Sequence, residues 1–269
     1  MPFDFDIPPI LATLRAKKPL VHHITNWVTI YDCANATRAI GALPVMAHAP
    51  EEVEQMSGIS SALVLNIGTL TPALVDAMLL AGKSANAKKI PIVLDAVGAG
   101  ATDLRTKKAL ELIEKLEIGI IKGNAGEIAI LAGASAEVKG VESMGVEGDI
   151  KEIAQKLSET TGAVVVATGA EDFVVDAKAN LTYTIRNGHE RMGSVVGTGC
   201  VSASIIGSFA AVEPNLAHAA AAALCCFGIA GELASLNEHA RGPGTYLHTL
   251  IDELSLLDAA KIKEMQKVE

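Results

Sequence analysis

The stretch VVGTGCVSAS, Val195 to Ser204, sets one thiol, Cys200, at the mouth of a glycine-rich turn. The small residues that follow can open a helix. Glycine reaches backbone conformations closed to other residues, so Gly197 and Gly199 let successive amides point the same way. A helix starting there adds unpaired N–H groups and the positive end of its dipole. The combination suits an anion, either a phosphate or a developing phosphoryl group. A thiol in the first helical turn is expected to have a lowered pKa. It could take a proton from a hydroxyl, or attack carbon and form a covalent intermediate. Packing as a small hydrophobe is the competing reading, and it suits Cys225 and Cys226, which lie inside an apolar run. Two standard phosphate loops are excluded. Ser202 stands where GxGxxG needs its third glycine, and the Walker lysine is missing from GHERMGSV.

Other groups able to do chemistry stand at the ends of β-branched runs. Asp95 closes a strand in VLDAVGAGAT, and Glu127 opens a helix in GNAGEI. Acids in such places can hold Mg²⁺ beside phosphates, usually through water; Glu127 could equally cap its helix. Lys122 ends IGIIK and either reaches a nucleotide phosphate or is solvated. Thr168 and Gly169 either bind phosphate or make a turn. In VHHITNWV the adjacent His22 and His23 diverge too far to chelate one metal. Asn26 reads as a hydrogen-bond donor in a cleft, or as an N-cap. Met46, near the end of a short strand in LPVMAHAPEEV, is either a flexible wall for a heterocycle or core packing.

These residues need elements to hold them. Strands are expected at 62–70, 90–100, 118–124 and 163–170. Helical patterns intervene at 71–87, where Thr71 is the N-cap and Pro72 the first helical residue, and at 102–116 and from Ala125. Such alternation implies parallel strands with crossover helices, whose ligands bind at the carboxyl ends of the strands. The glycines and polar residues fall at those ends. Residues 172–188 read as a hairpin at a sheet edge, and two helices of small residues fill 200–236. The stretch VKGVESMGVEGD, 138–149, is the least regular and reads as a loop with a short helix. No linker or composition break divides the chain, so 1–269 is expected to be one domain.

Composition sets the limits. The 269 residues are half hydrophobic and 3% aromatic, so the core is built on Ala, Val, Leu and Ile. The net charge is −9, with 22 basic residues against 31 acidic and no basic run, which argues against nucleic acid. Four cysteines without metal spacing suit a reduced, intracellular chain. MPFDFDIPPI lacks the pattern of a signal peptide. The most apolar segment, Ala219 to Gly231, is shorter than the ~20 residues a bilayer requires, so no membrane span is expected.

With these motifs in order, the chain resembles the hydroxyethylthiazole kinase family of the ribokinase-like superfamily from about residue 10 to 265. The likeness rests on VHHITNWV, GALPVMAHAPEEV, NIGTL, LDAVGAGAT, KGNAGEI, VVATGAEDFVVD and GTGC. The cysteine that closes GTGC is its sharpest marker, because most of the superfamily carries aspartate there. The resemblance implies a three-layer α/β fold with a mostly parallel central sheet. It implies ATP- and Mg²⁺-dependent phosphorylation of 4-methyl-5-(2-hydroxyethyl)thiazole, feeding thiamine diphosphate synthesis in the cytoplasm. Cys200 would be the catalytic base. Gly197, Met46 and Asn26 would meet the thiazole, and Lys122, Thr168, Gly169 and Gly199 the ATP. Asp95 and Glu127 would serve Mg²⁺. The assembly would be a homotrimer with sites between subunits. The family commonly has arginine at Lys122, proline at Ala96 and threonine at Val196. Rival readings are a kinase for a pyrimidine or pyridoxal-like alcohol, a thiol acyltransferase, and a nucleotide sensor without catalysis.

Overall fold

The computed structural model describes residues 5–133, 136–139, 142–146 and 149–269. In chain order the elements are α1 (Ile7–Lys17), β1 (Leu20–Ile24), α2 (Ile30–Ile40), β2 (Leu43–Val45), α3 (Val53–Ile59), β3 (Ala62–Asn66) and α4 (Pro72–Ala87). Then come β4 (Ile92–Asp95), α5 (Asp103–Lys115), β5 (Ile120–Asn124), α6 (Ala125–Leu131), β6 (Ala136–Lys139), β7 (Glu142–Val146) and α7 (Ile150–Thr161). The last third holds β8 (Val164–Thr168), β9 (Asp172–Asp176), β10 (Leu181–Ile185), α8 (Thr198–Ala210), α9 (Leu216–Leu236), α10 (Pro243–Leu256) and α11 (Ala259–Met265).

Eight strands form one sheet in the order β10-β9-β8-β5-β4-β3-β1-β2. All pairings from β8 to β2 are parallel, and β9 runs antiparallel to both β8 and β10. The expected hairpin therefore closes one edge. Alternation along the strands splits the core into two faces. Val64, Val93 and Ile120 pack under α1, α2 and α8–α11, while Leu63, Leu94 and Ile121 pack under α3–α7. This is the three-layer α/β arrangement.

Local signals work as expected. Thr71 accepts from the Leu74 amide ahead of Pro72, and Thr102 accepts from Arg105. α9 is the one helix among the described residues long and apolar enough to cross a membrane. It is largely buried, with Cys225 and Cys226 wholly so. One expectation needs correction. Within 138–149 the chain forms strand rather than a short helix: β6 and β7 pair antiparallel as a separate two-stranded ribbon. Residues 140–141 and 147–148 of that stretch, and the first four of MPFDFDIPPI, lie outside the described residues.

Candidate active site

Register builds the floor of the site. Asn66 of β3 lies opposite Asp95 of β4, and Asp95 opposite Lys122 of β5. All three continue the face that α8 covers, two residues beyond Val64, Val93 and Ile120. They are hydrogen-bonded side by side: Asn66 Nδ2 donates to Asp95 Oδ2 at 2.7 Å, and Lys122 Nζ donates to Asp95 Oδ1 at 3.1 Å. The row is buried. Lys122 Nζ also donates to the Gly199 carbonyl at 3.0 Å, which ties the row to the turn above it. Lys122 is thus a buried ion-pair partner, not a solvated surface lysine. Burial works against its charge, but Asp95, Glu127 and Cys200 outweigh it and raise its pKa. Burial likewise raises Asp95 against the pull of Lys122. Both Asp95 oxygens accept hydrogen bonds, as a carboxylate's do.

The turn is held from the other side by the loop after β1. Gly197, the N-cap of α8, has φ +92°, and a Cβ there would stand 2.1 Å from Thr29 Cγ2. Only glycine combines that conformation with so close an approach. The first helical hydrogen bond runs from the Val201 amide to the Gly197 carbonyl at 2.9 Å. The amides of Thr198, Gly199 and Cys200 precede it and so have no intrahelical acceptor.

Cys200 is the third residue of α8 and is half-buried. Asn26 Nδ2 lies 3.3 Å from its Sγ, 3.0 Å from Asn66 Oδ1 and 2.9 Å from Thr29 Oγ1. Asn26 does both things expected of it: Oδ1 accepts from the Val28 and Thr29 amides at 3.0 Å each, capping the turn that leads into α2, while Nδ2 joins the thiol to the acidic row. The expectation of a lowered thiol pKa is corrected. Burial and the neighbouring Asp95 charge raise it, outweighing Lys122 and the hydrogen bonds from Thr29 and Asn66. These two influences favour the protonated thiol at neutral pH.

Glu127 caps its helix and also reaches the glycine loop after β4. Asn124 accepts from the Glu127 amide, and the Asn124 amide donates to Glu127 Oε2 at 2.7 Å. Oε1 accepts from the Gly98 amide at 2.6 Å. Burial pushes Glu127 up to about 7, helped by Asp95 and opposed by Lys122 and these two amides. Among the described residues no group of three or more His, Cys, Asp and Glu gathers to hold a metal alone. Hard carboxylate oxygens that already carry one protein donor each do not make a closed cage. They fit a hydrated Mg²⁺ held through its waters and completed by phosphates.

A cavity of about 510 Å³ opens beside the turn, lined among others by Thr168, Gly169, His189, Gly199, Leu224 and Phe227. Thr168 and Gly199 thus share one space. The Gly169 amide is already engaged at 2.9 Å by Asp172, whose carboxyl burial pushes up to about 6. Met46 is not among the lining residues. It is half-buried beyond the end of β2, the sheet's far edge, where its carbonyl faces His48 Nδ1 at 3.0 Å and the Trp27 ring lies 4.8 Å from the His48 ring, tilted by 33°. His22 and His23 diverge, toward Ser57 and Ala47 and toward Val21 and Thr37 respectively. Sequence reading places Asn66, the first residue of NIGTL, among the polar groups at strand ends without giving it a role, and does not single out Thr29, which follows VHHITNWV.

The family model for the hydroxyethylthiazole kinase family matches residues 11–260. The chain is 58% identical over 259 residues to a hydroxyethylthiazole kinase of Methanosarcina mazei, covering 96% of this chain and 98% of that one. Its backbone is similar to that of a hydroxyethylthiazole kinase of Pyrococcus horikoshii OT3, with a TM-score of 0.87, 39% identity and 98% of each chain covered. A ribokinase-like superfamily protein of Enterococcus faecalis V583 shares the fold at 13% identity, with a TM-score of 0.62, 96% of this chain and 92% of that one covered.

Proposed function

The chain belongs to the hydroxyethylthiazole kinase family and phosphorylates hydroxyethylthiazole; we propose that ATP is the donor, Mg²⁺ the cofactor and thiamine synthesis or salvage in the cytoplasm the setting. One observation carries the mechanism. Cys200 directly follows Thr198 and Gly199, which line the cavity, and Asn26 joins its sulfur to the row of Asn66, Asp95 and Lys122. ATP occupies the cavity, with its terminal phosphates over Thr198, Gly199 and Cys200. Their amides and the helix dipole face the negative charge that redistributes during transfer. Lys122 fixes Gly199 in place and contributes positive charge beneath it; Thr168 lines the phosphate path. Asp95 and Glu127 would hold Mg²⁺ through its waters, and the bound ion would screen the charge on the β- and γ-phosphates.

The thiazole alcohol lies on the outer side of the turn, near Gly197, Asn26 and Cys200. Phosphoryl transfer passes through a loose transition state, so positioning matters most and the alcohol loses its proton late. Sulfur accepts that proton only as thiolate, so the thiol proton, which burial and Asp95 hold in place, must first pass to solvent, a loss that Lys122 favours. Asn26, donating to sulfur, stabilises the thiolate as well.

The assembly we propose is a homotrimer with sites between subunits. Trp27, Tyr31 and Val196, close in sequence to Thr29 and Gly197, are exposed by 57%, 73% and 76%. Met46, remote from its own chain's cavity, then serves a neighbour's thiazole. The test of function is direct. Wild-type protein with ATP, Mg²⁺ and the thiazole alcohol should yield a phosphate monoester visible by phosphorus NMR, with pyridoxal and pyrimidine alcohols much poorer acceptors. No ester from the thiazole, or equal turnover of all three, would contradict the reading.

A further inference from the structure

Two loops carry the site's geometry: residues 67–69 after Asn66, and residues 96–101 after Asp95. Backbone pairing between them is sparse, with the Ile67 amide donating to the Asp95 carbonyl at 3.3 Å. A single side chain from α5 bridges them. Arg105 Nη1 donates to the Ile67 carbonyl at 3.0 Å and the Val97 carbonyl at 2.9 Å, and Nη2 donates to the Gly68 carbonyl at 2.8 Å. Among the described residues the guanidinium pairs with no carboxylate; its donors go to three backbone oxygens. Gly98, at φ +77°, lies against it, with a built Cβ 3.0 Å from Arg105 Cδ. The Gly98 amide is in turn the donor to Glu127 Oε1.

We propose that Arg105 is a positioning residue for phosphoryl transfer. By clasping the two loops it fixes the Asn66–Asp95 contact and aims the Gly98 amide at Glu127. Its hydrogen bonds to the two loops all go to backbone carbonyls, so it acts through the loops. A planar fork with several fixed donors can satisfy three carbonyls from one side, and a lysine's point charge cannot. The loop after β4 has a second tether, the Gly100 amide donating to Thr106 Oγ1 at 2.9 Å, so loss of the clasp loosens the loops without unfolding them.

The catalytic half of this inference rests on the kinase reading; the clasp itself does not. The experiment compares wild type, Arg105→Ala and Arg105→Lys by steady-state kinetics and by hydrogen exchange of the unliganded chain. Arg105→Ala should lower kcat by roughly 10–100-fold, the usual cost of losing an outer-shell partner, with the thiazole KM little changed and a higher Mg²⁺ requirement. Exchange should quicken in 67–69 and 96–101 alone. Added millimolar guanidinium should restore part of both rate and protection, and Arg105→Lys should recover little. Wild-type kcat with unchanged loop exchange would overturn the inference. So would exchange that quickens across the whole fold with no guanidinium rescue, the mark of a purely structural residue. A wild-type chain that makes no phosphate ester would count against the kinase reading, while loop exchange would still decide the clasp.

Discussion

At Cys200 a helix N-terminus pulls the thiol toward thiolate while burial and Asp95 push it back, and the second influence wins in the free chain. The position of the thiol was legible in GTGC because glycines mark a turn locally. The sign of its pKa was not, because Asp95 and the covering loop come from distant parts of the chain. Lys122 shows the same division. Its place on β5 was legible, and its bonds to Asp95 and Gly199 were not. Removing it leaves Asp95 buried without a counter-charge. Lys122→Ala should therefore cost about 3–5 kcal/mol of stability in urea unfolding. Combining it with Asp95→Asn should recover part of that loss, because the neutral amide needs no partner cation. If the two losses simply add, the pair is not coupled as described.

At the scale of elements, caps were read correctly where one short segment decides the outcome, as with Thr71 and Pro72 on α4, whereas the runs expected as strands at 62–70 and 90–100 pair only over Ala62–Asn66 and Ile92–Asp95 before turning into loops. The ribbon of β6 and β7 was missed because neither strand carries a long alternating run. Two predictions belong here. Gly197→Ala places a Cβ against Thr29 in a left-handed conformation. It should cost about 2–4 kcal/mol, adding the left-handed penalty to overpacking, and should reduce turnover. A Thr29→Ser change, which removes the clashing methyl, should restore part of the stability. Unchanged unfolding of Gly197→Ala would show that the turn is not so constrained. Farther along β1, burial pushes His23 down to about 3 from 6.5. Its folded pKa is depressed, so the unfolded chain binds the proton first, and stability from the neutral ring is lost as pH falls from 6.5 toward 3. The stability advantage of wild type over His23→Gln should shrink by ~1.4 kcal/mol per pH unit through that window. Parallel pH profiles for the two proteins would contradict this. Comparing the pair cancels the opposing contribution of buried acids such as Glu127.

For the whole molecule, parallel order and the edge hairpin followed from the alternation of strand and helix. The proposed assembly did not, because the exposure of Trp27, Tyr31 and Val196 is set by the fold and not by their residue types. If they pack between subunits, Tyr31→Glu should shift the mass found by light scattering from three chains toward one and lower turnover with it. A monomeric wild type of full activity would remove the trimer from the account. The claim on which the rest depends is that sulfur stands beside the attacking alcohol at the phosphate-binding turn. Single-turnover transfer from ATP to the thiazole alcohol, measured on Cys200→Ala with nucleotide binding checked by calorimetry, tests it most directly. The predicted result is ATP binding close to wild type with transfer slower by ~10²–10⁴, as for a lost general base. Transfer at the wild-type rate would contradict it.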